Sequence, residues 1–594
     1  MFQSFTATTS PGQGPDRLAR LRAAMTEAGV DAFMVPRADA HQGEYVAPCD
    51  ERLAWLTGFT GSAGFSIVTQ EVAGVFVDGR YRVQVRAQVA DVFTPVNWPE
   101  TQPGPWLLEH LADGAVLGLD PWLHTRDEVD RLEKALEGRV TVRMVGNLVD
   151  AVWPDRPAPP VGKVRSLTTA QTGESSVAKR ERLAKTLKDA GECAAVLTLP
   201  DSISWLLNIR GSDIPRNPVV QAFAILHDDA RVSLFLDPAK VAPLGPDPAI
   251  DVAPVSDFEP ALKALAGPVR VDRKTAPLAV SLALSESGAE IAWGDDPCIL
   301  PKARKTEAEI AGTREAHLRD AAAMIEFLCW LDREAPAGGL TEIDAAKTLE
   351  RFRRDTNALL DISFDTISGA GPNGAIVHYR VTEETNRPIR SGELYLVDSG
   401  GQYLDGTTDI TRTVAIGPVP EEARATFTRV LQGMIAISTA RFPVGFAGRD
   451  LDALARAPLW RAGLDYDHGT GHGVGVYLNV HEGPQRLSRL SEVALEPGMI
   501  LSNEPGYYRE GAFGIRLENL IVVRTAAPLG DNRKHLDFET LTWVPIDTRV
   551  LIPEMMAPWE RDWLNAYHAE VVERVGPRLS EPARNWLLAA ARPI

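Results

Sequence analysis

The first half of this chain contains the same pattern twice. The first copy, RLARLRAAMTEAGVDAFMVP, covers residues 17–36, and the second, ERLAKTLKDAGECAAVLTLP, covers residues 181–200. In both copies apolar residues recur at helical spacing up to a glycine, after which a short apolar run and a proline follow. Each copy is then followed by Trp-Leu and, at the same distance beyond it, by Gly-Ser. A helix and a strand repeated in this way predict a duplicated α/β architecture.

Length and proline distribution divide the chain further. A chain of 594 residues exceeds the size at which a single hydrophobic core keeps growing. The stretch PDRPAPPVGK at residues 154–163 has the proline density of a stiff linker, and a long amphipathic helix is predicted to begin near Pro301. We therefore expect domains at residues 1–160, 161–305 and 306–594, the last with a C-terminal extension from about residue 531.

Composition and charge narrow the class of protein. Hydrophobic residues make up 44% of the chain and charged residues 24%, as in ordinary globular proteins. The net charge of −18 argues against a nucleic-acid or anionic-membrane partner, because both bind basic faces. The N-terminus lacks the basic and apolar regions of a secretory signal, and no apolar run reaches the ~20 residues of a membrane span. Four widely spaced cysteines predict free thiols, and these features together predict a cytoplasmic protein.

A histidine- and glycine-rich run, HGTGHGVG at residues 468–475, is followed closely by His481. Histidine is the commonest metal ligand, and glycine lets the backbone approach a bound group closely. The run therefore offers His468 or His472 as a ligand. It lacks the Lys-Ser/Thr of a phosphate loop and the glutamate of HExxH, and the region has no GxSxG motif. Nucleotide binding, a mononuclear zinc protease and a serine hydrolase are therefore disfavoured.

Four acidic residues lie on short predicted strands around this run. Asp398 and Asp409 flank a predicted β-hairpin in YLVDSGGQYLDGTTDITRT. Glu504 ends an apolar strand, and Glu518 lies within the strand pattern GIRLENLIVV. Any one of these acids, taken alone, is expected to be solvated, since acidic side chains are mostly exposed.

Together with His472, the four acids could form a metal site. Four converging carboxylates would repel each other so strongly that some would stay protonated, and two divalent cations would offset their charge. An oxygen-rich ligand set favours Mn²⁺, although Co²⁺, Zn²⁺ or Fe²⁺ could substitute. Two such ions can share a water molecule and lower its pKa, which gives a hydroxide nucleophile. The residues thus predict metal-assisted hydrolysis.

Long motifs extend over all three blocks of the chain. They are DAHQGEYVAPCD and GFTGSAG in the first, NIRGSDIPRNPV in the second, and SGAGPNGAIVHYR, VDSGGQYLDGTTDITRT, HGTGHGVGVYLNVHEGP, NEPGYYREGAFGIRLEN and DFETLTWVPID in the third. With these motifs the chain resembles the long, three-domain form of the Xaa-Pro aminopeptidases (aminopeptidase P), which are pita-bread metallopeptidases. The resemblance implies an α/β (α+β) chain with two duplicated small N-terminal domains, a pita-bread catalytic domain, and a homodimer.

The resemblance implies a role for each residue of the predicted metal site. Asp398 would bind one metal ion and His472 the other, while Asp409 and Glu518 would bridge the pair. Glu504 would be a ligand and would also relay a proton between the attacking water and the leaving nitrogen.

The resemblance also implies catalytic and substrate-binding residues. His378 would line the substrate site, and His481 would hydrogen-bond the scissile carbonyl or its oxyanion. His468 would lie beside the proline pocket and Arg516 near the P1′ side. Arg80 would contact the substrate from the first domain.

The expected activity is hydrolysis of the Xaa-Pro bond by a metal-bridging hydroxide, with release of the N-terminal residue from peptides that have proline second. Two alternatives stay open. A prolidase would use the same metals only on Xaa-Pro dipeptides, although the two additional domains favour an enzyme for longer peptides. An inactive pita-bread domain that binds peptides or histones is disfavoured, because all five ligands are retained together with His378 and His481.

Overall fold

The computed structural model describes all residues, 1–594, and the chain forms two compact units. The N-terminal unit comprises Thr8–Thr169 and Glu174–Lys302. The C-terminal unit comprises Ala303–Ile594 together with Met1–Ala7 and Ala170–Gly173. The finer division into domains at residues 1–160, 161–305 and 306–594 stays a prediction.

The first half of the N-terminal unit contains a six-stranded mixed sheet. Its helices and strands are α1 (Gly14–Ala28), β1 (Ala32–Pro36), α2 (Arg52–Thr57), β2 (Phe65–Thr69), β3 (Ala73–Val77), α3 (Arg82–Gln88), β4 (Thr94–Asn97), α4 (Pro103–His110), β5 (Val116–Leu119), α5 (Arg126–Ala135), β6 (Thr141–Met144) and α6 (Leu148–Val152). The strand order is β4-β3-β2-β1-β5-β6. Strand β1 is antiparallel to β2 and parallel to β5.

The second half of the unit repeats this arrangement. Its elements are β7 (Arg165–Ser166), α8 (Ser176–Asp189), β8 (Ala194–Leu197), α9 (Pro200–Leu206), β9 (Ile209–Arg210), β10 (Phe223–His227), β11 (Val232–Phe235), α10 (Pro238–Val241), β12 (Ile250–Ala253), α11 (Phe258–Lys263), β13 (Pro268–Val271), α12 (Leu278–Ser287), β14 (Glu290–Trp293) and α13 (Ile299–Ala303). The short helix α7 (Thr169–Thr172) lies between β7 and α8, and all of it except Thr169 belongs to the C-terminal unit. The strand order is β12-β11-β10-β8-β13-β14. Strand β8 is antiparallel to β10 and parallel to β13. The predicted duplication and α/β class are confirmed.

Each copy turns from helix to strand at the glycine of the repeated pattern. Gly29 follows α1 with φ 65°, and Gly191 closely follows α8 with φ 74°. Side chains other than glycine disfavour this left-handed conformation at the end of a helix. The strands that follow, β1 and β8, are buried over almost their whole length. The glycine therefore sets the turn that directs the chain into the middle of each sheet.

The C-terminal unit is built from four sheets and six long helices. Its elements are α14 (Glu307–Glu334), α15 (Glu342–Arg354), β15 (Asp361–Ile362), β16 (Ile367–Ala370), β17 (Glu393–Ser399), β18 (Gly401–Tyr403), β19 (Gly406–Thr407), β20 (Ile410–Ile416), α16 (Glu421–Ser438), β21 (Phe442–Pro443), α17 (Arg449–Trp460), β22 (Gly471–Gly473), β23 (Glu482–Leu487), β24 (Ile500–Asn503), β25 (Gly506–Arg509), β26 (Phe513–Arg516), β27 (Asn519–Thr525), β28 (His535–Thr540), α18 (Pro558–Val575) and α19 (Glu581–Ala590). The sheets have the orders β16-β17-β20, β15-β18-β19, β21-β28-β27-β24-β22-β23 and β25-β26.

Two antiparallel pairs in this unit place acidic residues at strand ends. Strands β17 and β20 form the predicted hairpin, with Asp398 opposite Thr411, and β18 and β19 lie in the connection between them. Strands β24 and β27 are paired so that Asn503, the last residue of β24, lies opposite Asn519, the first residue of β27. Glu504 and Glu518 therefore leave this pair at the same end.

Two sequence-based boundaries are wrong in detail. The predicted strand GIRLENLIVV is two strands, because β26 pairs with β25 whereas β27 pairs with β24. Glu518 lies in the break, where its backbone N–H donates to the carbonyl of Thr411 at 3.1 Å. The long helix α14 begins at Glu307 rather than near Pro301, because Thr306 and Glu309 form a capping box at its N-terminus.

The C-terminal extension packs onto the core of the same unit. Leu564 and Tyr567 of α18 are buried with Phe427 of α16 and Tyr395 of β17. Trp563 stacks on Tyr567 with ring centroids 5.3 Å apart, whereas Trp559 is 51% exposed. None of the helices in either unit has the length and apolar character needed to span a membrane.

Candidate metal centre

The structure brings the predicted ligands together inside the C-terminal unit. The ligand atoms of Asp409, His472 and Glu518 all lie within 4.8 Å of one another. Nε2 of His472 is 3.5 Å from Oδ2 of Asp409 and 3.3 Å from Oε1 of Glu504. Asp398 is buried at the end of β17, where the charges of Asp409 and Glu504 act on it. The five residues thus form one cluster of four carboxylates and one imidazole.

Hydrogen bonds from neighbouring residues orient these side chains. Nδ1 of His472 lies 2.9 Å from the carbonyl oxygen of Gly473. Because that oxygen can only accept, Nδ1 carries a proton, and in the neutral ring that can bind a metal ion the lone pair is on Nε2, the nitrogen that faces the acids. The hydroxyl of Ser502 accepts from the His472 backbone N–H at 2.9 Å and donates to Oε1 of Glu504 at 3.0 Å. Thr411 donates to Oε2 of Glu518 at 2.8 Å.

Two carboxylate oxygens in the cluster are buried without a hydrogen-bond partner, namely Oδ1 of Asp398 and Oε1 of Glu518. A buried oxygen of this kind costs free energy unless a donor or a cation satisfies it. Carboxylate oxygens with one imidazole are a donor set that suits divalent ions such as Mn²⁺. The residues present therefore fit a pair of bound cations.

Burial and mutual repulsion shift the pKa of the acids upward. Burial raises the pKa of Asp398 to about 7 against the opposing charge of Arg516, and Asp409 raises it further. Burial likewise raises the pKa of Glu504 and places that of Glu518 well above its ordinary value. For His472, burial lowers the pKa, but Asp409 and Glu504 outweigh this and raise it to about 9. Without cations the cluster therefore holds protons.

These shifts predict that metal binding stabilises the protein more at higher pH. The folded-state pKa values of Asp398 and His472 are raised above their ordinary values to about 7 and about 9. The metal-free fold therefore binds more protons than the unfolded chain, and it loses stability as pH rises through these values. Metal binding requires deprotonated ligands, so it opposes this loss. The gain in melting temperature on adding Mn²⁺ to chelated protein should be larger by about 5 °C or more at about pH 8 than at about pH 5.5.

An equal gain at both pH values would contradict the predicted linkage. Exposed carboxylates are ionised at both pH values, so they should not change the gain in melting temperature between them. Differential scanning fluorimetry at matched ionic strength therefore measures the contribution of the buried cluster to that gain.

Arg516 lies against the metal cluster rather than on an open surface. It is 2% exposed, and its Nη2 donates to Oδ2 of Asp398 at 2.6 Å. Its other bonds go to the hydroxyl of Tyr508 at 2.6 Å, the hydroxyl of Thr411 at 3.1 Å and the carbonyl of Val377 at 3.3 Å. The structure thus gives Arg516 a role in holding Asp398, and its predicted contact with the substrate stays a prediction.

The three predicted substrate-site histidines, His378, His468 and His481, are half-buried. The ring of His481 packs edge-on against the ring of His472, with centroids 4.3 Å apart. Nε2 of His468 is 2.8 Å from the hydroxyl of Tyr508, which also accepts from Arg516. His378 directly follows Val377, whose carbonyl accepts from Arg516.

Glu342, a residue that the sequence analysis did not single out, anchors the loop that carries His378. Its carboxylate accepts from the hydroxyl of Tyr379 at 3.0 Å and from the backbone N–H of Ala370 at 2.8 Å. It also accepts from Nδ2 of Asn373 at 3.1 Å. An acid in the first turn of a helix gives no sequence signal for this role, because such acids usually interact only with the helix dipole.

Tyr508 and a buried network around Arg456 also escaped the sequence analysis. Tyr508 connects His468 to Arg516, and only its place in the motif NEPGYYREG marked it. Arg456 donates to the carbonyl of His468 at 2.6 Å and to Oδ2 of Asp452 at 2.8 Å. The other oxygen of Asp452 accepts from Thr470 at 2.6 Å. This network therefore holds His468 and Thr470, at the start of the histidine-glycine run, in place.

Arg80 belongs to the N-terminal unit, unlike the other predicted site residues. Its guanidinium donates to Oδ2 of Asp78 at 2.7 Å and lies 5.3 Å from the ring centroid of Tyr81. The role of Arg80 in substrate binding stays a prediction.

Family models match almost the whole chain. A model described as metallopeptidase family M24 matches residues 311–525, and a model of the C-terminal region of these peptidases matches residues 534–594. Two models of the creatinase/prolidase N-terminal domain match residues 17–152 and 155–309.

Relatives with names and a solved structure align over the same length. The chain is 41% identical to a protein of Neosartorya fischeri named probable Xaa-Pro aminopeptidase P, in an alignment that covers 98% of this chain and 92% of the relative. It is 39% identical to aminopeptidase P2 of Arabidopsis thaliana, with 98% and 88% covered. The crystal structure of X-prolyl aminopeptidase from Caenorhabditis elegans, described as a cytosolic enzyme with a di-nuclear active site, has a TM-score of 0.92 at 34% identity and covers 98% of this chain and 99% of that one. The agreement in sequence and fold over nearly the full length shows that this chain belongs to metallopeptidase family M24, as its motifs predicted.

Proposed function

We propose that this chain is a dinuclear metal-dependent aminopeptidase that hydrolyses the Xaa-Pro bond and releases the N-terminal residue from peptides with proline second. One observation carries the proposal. The buried carboxylates of Asp398, Asp409 and Glu518 converge with the half-buried Glu504 and the imidazole of His472, and two of the carboxylate oxygens have no hydrogen-bond partner. The chain also aligns over 98% of its length with a relative named probable Xaa-Pro aminopeptidase P.

The five clustered residues would hold two divalent cations, whose chemistry is to activate a water molecule at neutral pH. Asp398 and His472 would each bind one ion, and Asp409 and Glu518 would bind both. Glu504 would also take the proton of the attacking water and deliver it to the leaving nitrogen. The position of Glu504, whose Oε1 lies 3.3 Å from Nε2 of His472, supports this role, because a proton acceptor must lie within reach of the attacking water.

The half-buried histidines would act on the substrate. His481, next to His472, would donate to the scissile carbonyl oxygen as negative charge develops on it. His378 would line the site, and His468 would lie beside the proline ring. The family resemblance adds Arg516 and Arg80 to the proposed substrate contacts.

Recognition of proline requires contacts that differ from those of other peptidases. The Xaa-Pro bond is a tertiary amide without an N–H, so a site cannot position it through a backbone donor. The pyrrolidine ring itself must then be recognised. Histidine rings around a compact site supply flat, partly apolar surfaces for this purpose.

The proposal predicts strict dependence on metal and on proline. Protein stripped with a chelator and refilled with Mn²⁺ should cleave Arg-Pro-Pro with a kcat/KM at least about a hundredfold higher than that for Arg-Ala-Ala, because only the first fills a ring pocket. The chelated protein should cleave neither. Cleavage of both peptides at similar rates would contradict proline recognition, and undiminished activity after chelation would contradict the metal.

A prolidase is the second candidate, since it would use the same cluster on dipeptides alone. The additional sheets of the N-terminal unit and the full-length relatives favour the longer-peptide enzyme. Release of arginine from both Arg-Pro and Arg-Pro-Pro, or only from Arg-Pro-Pro, would support the aminopeptidase. Release from Arg-Pro alone would identify a prolidase.

The identity of the metal, the location in the cell and the oligomeric state are further parts of the proposal. We propose Mn²⁺ as the bound metal because of the oxygen-rich donor set, with Co²⁺, Zn²⁺ or Fe²⁺ as substitutes. We also propose a cytoplasmic location, supported by the description of the Caenorhabditis elegans relative as cytosolic. A homodimer is proposed from the family resemblance.

A further inference from the structure

Arg412 is a fully buried arginine of β20, three residues after Asp409, whose hydrogen bonds all go to neutral groups. Its acceptors are the carbonyl oxygens of Thr411 (2.9 Å), Glu518 (2.6 Å), Val544 (2.8 Å) and Pro545 (3.2 Å), Oδ1 of Asn519 (2.8 Å) and the hydroxyl of Tyr567 (3.1 Å). Buried charges are normally paired with an opposite charge. A guanidinium held by neutral acceptors alone therefore requires an explanation.

One side of the Arg412 guanidinium supports Glu518. The carbonyl of Glu518 accepts directly from Arg412, and so does the carbonyl of Thr411. Thr411 and Glu518 are themselves bonded twice, since the Glu518 N–H donates to the Thr411 carbonyl and the Thr411 hydroxyl donates to Oε2 of Glu518. Arg412 thereby holds the Glu518 carbonyl directly, and it holds the Glu518 N–H through the carbonyl of Thr411. The other carboxylate oxygen of Glu518, Oε1, has no hydrogen-bond partner.

The other side of the guanidinium is held by the C-terminal region. Val544 and Pro545 lie just after β28, and Tyr567 lies on α18. The Tyr567 hydroxyl is 2.9 Å from the carbonyl of Val544 and 3.2 Å from the Val544 backbone nitrogen. Its ring is stacked between Trp543 and Trp563, with centroids 5.5 and 5.3 Å away. The contacts of Tyr567 with Val544 and with the two tryptophans thus hold the acceptors of this region in place for Arg412.

We propose that Arg412 is a positioning residue through which the C-terminal region holds Glu518 in place to bind metal, so that residues 534–594 are a structural part of the metal centre. The inference rests on the proposed function, in which Glu518 is a ligand. Residues that orient metal ligands from outside the coordination shell typically change metal affinity about 10–100-fold when they are replaced. When Arg412 is replaced, the side chain of Glu518 is unchanged, but its backbone loses the hydrogen bond from Arg412.

Two variants of the full-length chain test this role. Arg412→Lys keeps the charge but cannot reach acceptors on both sides, and Tyr567→Phe removes one acceptor while leaving the aromatic stack intact. Mn²⁺ binding to chelated protein is followed by the electron paramagnetic resonance signal of the free ion. We expect the dissociation constant of the weaker ion to rise about tenfold or more in Arg412→Lys and severalfold in Tyr567→Phe.

Arg424→Lys is the matched control. Arg424 donates to the carbonyl of Leu551 at 2.6 Å, so it also bonds the C-terminal region, but from α16 and without contact to Glu518. This variant should bind both ions as the wild type does. A loss of affinity in the control equal to that in Arg412→Lys would show a general effect of loosening the C-terminal region and would overturn the specific role.

The outcomes separate this inference from the proposed function. If the wild type binds two ions and a folded Arg412→Lys protein binds them with unchanged affinity, the role of Arg412 is overturned and the function stands. If Arg412→Lys does not fold, Tyr567→Phe decides, since weaker binding supports the role and unchanged binding overturns it. A wild type that binds no Mn²⁺ overturns the metal centre, and with it this inference.

Discussion

Replacement of Asp409 by asparagine is expected to remove at least one metal ion and to lower kcat/KM on Arg-Pro-Pro by about a thousandfold or more. Asp409 is buried, and its ligand atom lies within the 4.8 Å cluster formed with His472 and Glu518. Asparagine keeps the shape of the side chain but removes the charge with which a carboxylate can bridge two cations. Metal activation lowers the pKa of water from about 15.7 to about 7, so its loss leaves little nucleophile at neutral pH. Elemental analysis and steady-state kinetics measure the two effects.

The same substitution should change the stability of the metal-free protein only slightly. Burial raises the pKa of Asp398, Glu504 and Glu518, and the charge of Asp409 raises it further. Removal of that charge relieves this repulsion but also removes the acid that lies 3.5 Å from Nε2 of His472, so the two effects oppose each other and the chelated variant should melt within about 5 °C of the chelated wild type. A large fall in melting temperature would mean that lost activity reflects misfolding rather than a lost ligand.

Asp405→Asn is the matched control for this prediction. Asp405 lies in the connection of the same hairpin and pairs with Arg319 at 2.8 Å. Its replacement removes one negative charge from the same segment but none from the cluster, so both ions and the activity should be retained. An Asp409→Asn protein that also keeps two ions and full activity would exclude Asp409 as a ligand.

The positions of Asp398, Asp409 and Glu504 could be predicted from the sequence because each lies close to the end of a strand. The apolar entry and central glycine-rich turn of the segment with Asp398 and Asp409 indicate a hairpin, and the structure has one. Glu504 follows an apolar run that forms β24. The break at Glu518 could not be predicted, since it depends on β26 and β27 pairing with different strands. Local patterns specify strands, but their partners are set by tertiary packing.

The residues that position the site residues could not be predicted from sequence patterns either. Arg412 and Tyr567 are 155 positions apart, and Glu342 and Tyr379 are 37 apart, yet each pair is hydrogen-bonded. A buried arginine or glutamate looks the same in a sequence as an exposed one, and exposure is the more common state. Only the fold shows that these charged groups support the site, and this is where the structure adds most to the motifs.

The histidine-glycine run and His481 would form the second half of the proposed site. The rings of His481 and His472 are 4.3 Å apart at an angle of 76°, which places His481 beside the cluster. The neighbouring Glu482 is buried and forms an ion pair with Lys305, so the chain on one side of His481 is firmly held. In the proposed metal centre, a side chain fixed beside the cluster would be well placed to donate a hydrogen bond to a substrate oxygen.

Replacement of His481 by alanine is therefore expected to lower kcat on Arg-Pro-Pro by about a hundredfold while both metal ions stay bound. A donor to the developing oxyanion contributes about 10²–10³ in kcat, and its contact is stronger in the transition state than in the ground state. KM should accordingly change by less than about threefold. His535→Ala is the matched control, because His535 lies on β28 with its Nδ1 bonded to the carbonyl of Arg533, and it should keep the wild-type kcat. Loss of an ion from the His481 variant would instead indicate that His481 is a ligand. An unchanged kcat would exclude His481 from the catalytic residues, and stabilisation of the transition state would then fall to Glu504 and the proposed metal ions.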